Sequence, residues 1–153
     1  MRRKKRYSNE MKLEFLSVPS NVAFARVAVA AFASQLDFTL AELEEIKVAV
    51  SEAVSNSIVH GYGNATNRFV KIHAALTADS VEIRVEDGGK GIENVDAALQ
   101  PAFSTDADRL GLGFVFMQSF MDSLDVKTAP DQGTVVTMVK KLGAGMARTN
   151  PEQ

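Results

Sequence analysis

Apolar positions along the chain recur with two periods, and each change of period marks the edge of an element. From Lys12 to Val18 they alternate, with Leu13, Phe15 and Ser17 on one face, and Pro19 ends the run. That is the pattern of a half-buried strand. Between Asn21 and Leu36 the spacing turns helical: Phe24, Val27, Ala28, Ala31 and Phe32 recur every three or four residues, and Ser20 stands at the N-cap position. Asp37 and Phe38 lead to a second helix, opened by the capping box Thr39-Leu-Ala-Glu42. It is predicted to run to about His60, where Gly61, Gly63 and Asn64 stop it. Its core stripe is Ile46, Ala49, Val50, Ala53 and Ser57.

Two strands follow, Phe69–Leu76 and Ser80–Glu86, joined by Thr77-Ala-Asp79. The glycine-rich stretch VEDGGKGI, Val85 to Ile92, comes next. Glu93–Arg109 has little regular pattern and carries Pro101, Ser104, Thr105 and several aspartates, so it is expected to be a lid or binding loop. Leu110-Gly-Leu-Gly113 opens a predicted third helix, Phe114–Asp122. Strands Ser123–Thr128 and Thr134–Leu142 close the chain around the turn Pro130-Asp-Gln-Gly133. Consecutive strand pairs on tight turns favour a mostly antiparallel sheet with helices over one face, an α/β (α+β) two-layer sandwich. Residues 11–142 form the expected domain, with disordered tails at 1–10, where basic residues cluster, and at 143–153.

Composition narrows the chemistry. Without cysteine there is no disulfide, thiolate metal site or cysteine nucleophile, and a count of two histidines, His60 and His73, argues against a histidine-rich metal site. Seventeen basic and nineteen acidic residues leave a net charge of −2, which gives no support for direct nucleic-acid binding or a membrane surface. No apolar run approaches the roughly 20 residues that span a bilayer. The basic start has no apolar segment after it and so is not read as a signal peptide; a cytoplasmic protein is the default expectation.

Four short signals carry candidate chemistry. Glu52 and Asn56 stand one turn apart on the second helix, at the edge of its core stripe, where a carboxylate and an amide suit a hard cation such as Mg²⁺; they also suit an ordinary helix surface. Asp87-Gly-Gly-Lys-Gly91 puts a carboxylate at a strand end beside glycines that let a flat ring approach, or simply makes a turn. Gly111 and Gly113 at a helix start would expose amides to phosphate, with Arg109 just before them. Gly133-Thr134 offers a hydroxyl at the start of the last strand. His60 reads most simply as a helix C-terminal cap.

The order and spacing of these four signals resemble the Bergerat ATP-binding fold shared by gyrase and the histidine kinases. The stretches Phe24–Phe32, Glu45–Tyr62, Gln100–Thr105 and Gly113–Asp122 resemble, more narrowly, the sporulation anti-sigma F factors, homodimeric protein serine kinases of that superfamily. The resemblance implies ATP/ADP and Mg²⁺ as cofactors. It also implies two partners: a sigma factor of the sigma F type, and an anti-anti-sigma protein phosphorylated on serine. By it Glu52 is the general base, Asn56 holds Mg²⁺, and Asp87, Gly89, Gly91 and Thr134 surround the adenine. Gly111, Gly113 and Arg109 meet the phosphates, and Arg26 belongs to the partner-binding surface. Two alternatives stay open: a related stress-response kinase acting on sigma B, and a sigma-binding module that uses ATP without transferring it.

Overall fold

A computed structural model describes residues 6–95 and 106–143, the side chains of 106–109 excepted. Strands β1 (Asn9–Leu16), β2 (Phe69–Leu76), β3 (Ser80–Asp87), β4 (Ser123–Thr128) and β5 (Thr134–Lys141) form one sheet in the order β1-β2-β3-β5-β4. Every neighbouring pair is antiparallel. Side chains alternate across the sheet. Val70, Ile72, Ala74, Val81, Ile83, Val85, Val136 and Met138 are buried on the helix-covered face. Lys12, Glu14, Lys71 and Arg84 stand exposed on the other. This is the predicted two-layer α/β sandwich.

The covering layer holds α1 (Asn21–Ala33), α2 (Leu40–Asn56) and α3 (Asp106–Phe120). Helix α2 lies at its centre, and Ile46, Ala49, Val50 and Ala53 are buried as its stripe predicts. The capping box forms. Glu42 N–H donates to Thr39 Oγ1 at 3.1 Å, and Thr39 N–H donates to Glu42 Oε1 at 2.9 Å. Such a cap is worth about 1 kcal/mol. Past Asn56 the helix widens into a single π-helical turn, Ser57–Gly61, so the helical path does reach the His60 region.

Four expectations are corrected. Strand β1 starts at Asn9 rather than Lys12, within the expected tail, because side chains tie its start to the sheet. Tyr7 Oη donates to Glu82 Oε2 at 2.7 Å, and Glu10 Oε1 lies 2.8 Å from His73 Nε2. The first bond, with burial, pushes the Tyr7 phenol up to about 12. Ser20 does not cap α1: its backbone is already helical, and its side chain makes no capping bond. Helix α1 ends at Ala33 and buries Ala25, Val29, Ala30, Phe32 and Ala33, leaving Phe24 51% and Val27 57% exposed. A helix this rich in alanine is apolar nearly all round, so periodicity does not single out its inner face.

The fourth correction bears on the site. Helix α3 starts at Asp106, so Gly111 and Gly113 lie inside it and not at its entrance. Each glycine costs a helix about 1 kcal/mol against alanine. Packing offsets that cost, since Phe114, Met117 and Met121 are all buried in the common core. At the far end, Lys140 is buried with its ammonium 2.5 Å from the Phe120 carbonyl and 3.4 Å from Glu45 Oε1, tying β5 to both α2 and α3.

Candidate functional site

Three elements converge where α2 ends: the π turn, the end of β3 and the start of β5. The π turn carries an i→i−5 bond, Tyr62 N–H to Ser57 O at 2.9 Å, and such turns gather at functional sites. It delivers the Gly61 backbone onto Asp87. A Cβ at Gly61 would lie 2.8 Å from Asp87 Oδ1, so a side chain there would displace the carboxylate. The contact continues into the glycine stretch. Lys90 N–H donates to Gly61 O at 3.0 Å, and a Cβ on Gly89 would meet that same carbonyl at 2.1 Å.

Asp87 is buried, and Gly89 N–H donates to its Oδ1 at 2.9 Å. Burial pushes its carboxyl above the ordinary value. The Gly89 bond, the Ser57 hydroxyl, the Thr134 N–H and the Arg68 charge pull the other way without cancelling that effect. Asp87 and Thr134 are register partners across β3 and β5. Thr128 Oγ1 accepts from Ile92 N–H and donates to Gly133 O, both at 2.9 Å. Its one proton is thus used, so the 3.0 Å contact with Thr134 Oγ1 has Thr134 as donor. Gly133 takes φ 79°, and a Cβ there would meet Asp87 O at 2.1 Å.

Glu52 and Asn56 stand on the last turn of α2. Burial raises the Glu52 carboxyl above its ordinary value. The Asn56 amide nitrogen is buried without a hydrogen-bond partner among the described residues. Leaving such a donor unmade costs about 1–3 kcal/mol, a cost a ligand would remove. Helix α3 crosses this pair at Gly113, where a Cβ would lie 3.0 Å from Glu52 Oε2 and 3.2 Å from Asn56 Nδ2. Between the two clusters remains a cavity of about 20 Å³ bounded by Asn56, Asp87, Gly91, Thr134, Leu110 and Phe114, with His60 on its wall. It is far smaller than sites that hold drug-sized ligands, so a ring can enter beside Asp87 only if part of its wall gives way.

Glu52, Asn56, Asp87, Gly89, Gly91, Gly113 and Thr134 are thus drawn into one region, with Gly111 one residue pair away inside α3. A helix-entrance cradle of Gly111 and Gly113 amides is not what this structure holds: both belong to the hydrogen-bonded interior of α3. The Arg109 side chain and residues 96–105 of the expected lid, with Pro101, Ser104 and Thr105, lie outside the described residues. Arg26 stands apart on α1, half-buried between the exposed Phe24 and Val27. Ser57, Gly61 and Thr128 shape the Asp87 pocket without having been singled out for it. In the pattern Ser57 read as part of the α2 core stripe, Gly61 as a helix stop and Thr128 as a strand end.

The donor set fits Mg²⁺, which takes one or two protein oxygens and fills its shell with phosphate and water. One amide oxygen at Asn56 beside the Glu52 carboxylate supplies that minimum. Among the described residues no group of three or more His, Asp or Glu is placed to hold a metal by itself.

Residues 15–140 match the family of the histidine kinase-like ATPase domain. The anti-sigma F factor of Thermoanaerobacter pseudethanolicus is 49% identical over 140 residues, covering 90% of this chain and 97% of that protein. The anti-sigma F factor of Clostridium kluyveri is 51% identical over 136 residues, 88% of this chain and 95% of that one. Among solved structures, the histidine kinase domain of the Erythrobacter litoralis blue-light-activated kinase superposes with TM-score 0.57 at 18% identity, over 84% of this chain and 63% of that one. The RsbU and RsbW domains of a Mycobacterium tuberculosis protein give TM-score 0.61 at 15% identity, over 88% of this chain and 32% of that one. The structural likenesses carry the fold, and the near-full-length identities carry the finer kinship: the chain belongs to the anti-sigma F factor family, built on the histidine kinase-like ATPase domain.

Proposed function

We propose that this chain binds and inhibits a sigma factor of the sigma F type and, with Mg²⁺ and ATP, phosphorylates a serine of an anti-anti-sigma partner. The observation that carries the reading is the buried Asn56 amide nitrogen, without a hydrogen-bond partner among the described residues, one helical turn from Glu52 and lining the same cavity as the buried Asp87. Asp87 accepts a hydrogen bond from the exocyclic amine of adenine, and Thr134, Gly89 and Gly91 leave room for the ring. Asn56 would hold Mg²⁺, which when bound would neutralise the charge that develops on the phosphates. Glu52 accepts the proton of the partner's serine as its oxygen bonds to the γ-phosphorus and the bond to the leaving ADP oxygen breaks. A carboxyl raised by burial is a better base than an ordinary one.

Phosphate contacts from the Gly111 and Gly113 amides require the opening turns of α3 to unwind, and the resemblance adds Arg109 to those contacts. Unwinding would free the amides of both glycines and widen the cavity beside Asp87. Arg26, with the exposed Phe24 and Val27, offers a mixed apolar and cationic surface for the sigma and anti-anti-sigma partners. A homodimer and a cytoplasmic location belong to the same reading. No described helix is long and apolar enough to cross a membrane.

The test is transfer of radiolabel from ATP to the candidate partner. Glu52→Ala should lose transfer and keep nucleotide binding. Nucleotide-dependent sigma capture without any labelled partner would favour a binding module instead. Capture of sigma B but not sigma F would favour the stress-response branch.

A further inference from the structure

The loop after the π turn returns to the glycine stretch from outside. Tyr62 Oη lies 2.5 Å from Phe69 O and 2.7 Å from Gly88 N. A phenol has one proton. It goes to the Phe69 carbonyl, so the same oxygen accepts the Gly88 N–H. Arg68 Nη2 donates to Gly88 O at 2.9 Å, and its guanidinium stands 4.7 Å from the centre of the Tyr62 ring. Two side chains of one loop therefore hold both polar groups of the Gly88 backbone.

The loop itself is stapled down. Ser17, fully buried just after β1, donates its hydroxyl to Ala65 O at 2.6 Å and accepts from Arg68 N–H at 3.2 Å. Its own N–H donates to Arg68 O at 2.8 Å. The arrangement runs from β1 through Ser17 to Arg68, then to Gly88 and the residue before it, Asp87.

Asp87 needs this hold. The residues after it are two glycines, which lend the backbone wide freedom. Gly61 and the Gly89 N–H fix the carboxylate from the helix side. Nothing in glycine itself fixes the peptide behind it. We propose that Tyr62 and Arg68 are positioning residues for base recognition. They lock the Gly88 backbone from the open face of the sheet, so that the Asp87 carboxylate keeps one orientation toward the exocyclic amine. The inference rests on the nucleotide reading of Asp87.

The experiment measures equilibrium ATP binding by calorimetry for the wild type, Tyr62→Phe, Arg68→Gln, Asp87→Asn and the double variant Tyr62→Phe/Asp87→Asn. Tyr62→Phe keeps the ring and removes the oxygen, and Arg68→Gln alters an exposed side chain. Each should weaken ATP binding about three- to tenfold, the size of one hydrogen bond, with little change in Tm. Gly88 amide exchange should quicken in Tyr62→Phe. In the double variant the Tyr62 change should add nothing to Asp87→Asn, since both act through one contact. Unchanged affinity in both single variants would overturn the clasp and leave the nucleotide reading intact. A fully additive loss would also overturn it, because Tyr62 would then act apart from Asp87. A wild type that does not bind ATP would overturn the nucleotide reading and the clasp with it. If Tyr62→Phe fails to fold, Arg68→Gln decides alone.

Discussion

Gly113 of α3 lies directly over Glu52: a Cβ added at residue 113 would stand 3.0 Å from Glu52 Oε2. The helix thus rests on the proposed general base at a position without a side chain. Gly113→Ala removes a residue that favours unwinding, a bias of about 1 kcal/mol. The atoms it meets, Glu52 Oε2 at 3.0 Å and Asn56 Nδ2 at 3.2 Å, are side-chain ends that can shift by a few tenths of an ångström. The variant should melt no lower than wild type yet bind ATP about fivefold more weakly, because the opening turns of α3 become harder to unwind. Calorimetric melts and ATP titration check both halves. Unchanged affinity would mean that α3 need not open at this residue.

Glu52→Gln should lose phosphotransfer by about a hundredfold or more. Its stability should run the other way. Burial raises the Glu52 carboxyl, so the folded protein binds that proton more tightly than the unfolded chain does. Wild-type stability from this group is therefore fully present below the ordinary value of 4.5 and is lost as pH rises through the raised folded value. Glutamine removes the penalty. Its Tm advantage over wild type should be greatest near neutral pH and shrink on acidification. Paired thermal melts from neutral pH to about pH 4 read it directly.

Gly133→Ala should damage both fold and site. The residue sits at φ 79°, and its Cβ would come 2.1 Å from the Asp87 carbonyl oxygen. The backbone conformation alone costs about 1–2 kcal/mol for an alanine, and the β3–β5 register must shift to relieve the clash. Chemical denaturation should show a loss above that figure, and ATP binding should fall with it.

Lys140→Ala should cost about 2 kcal/mol, the usual worth of a hydrogen bond to a charged group. It leaves the Phe120 carbonyl unanswered at the end of α3 and frees Glu45 on α2. Because Lys140 lies at the end of β5 far from Thr134, ATP affinity should not change. Urea unfolding beside ATP titration separates the two effects.

Local chemistry made much of this fold readable. Strands β2 and β4 have the predicted ends, and the Thr39–Glu42 box forms as written, because alternation and capping are decided by residues a few positions apart. Helix α1 shows where such reading stops: alanine serves an inner and an outer face alike, and only packing into the common core selects Ala25 and Val29. The start of α3 was hidden for a related reason, since two glycines argue against a helix that packing then imposes. In the site, Glu52, Asn56, Asp87 and Thr134 were legible from spacing and strand ends. The Ser17–Arg68 bonds, 51 residues apart, and the Tyr62–Gly88 bond, 26 apart, exist only once β1, β2 and β3 are side by side.

The π turn at Ser57–Gly61 makes chain length itself a specification here. An ordinary helix advances about 100° per residue. Removing one residue from Ser57–Gly61 would let α2 continue as a regular helix. Gly61 would then swing away from Asp87, although every side chain named for chemistry would still be present. Substitution scans cannot probe that dependence, whereas single-residue deletions and insertions across the turn can, and they should prove far less tolerated than exchanges at the same positions.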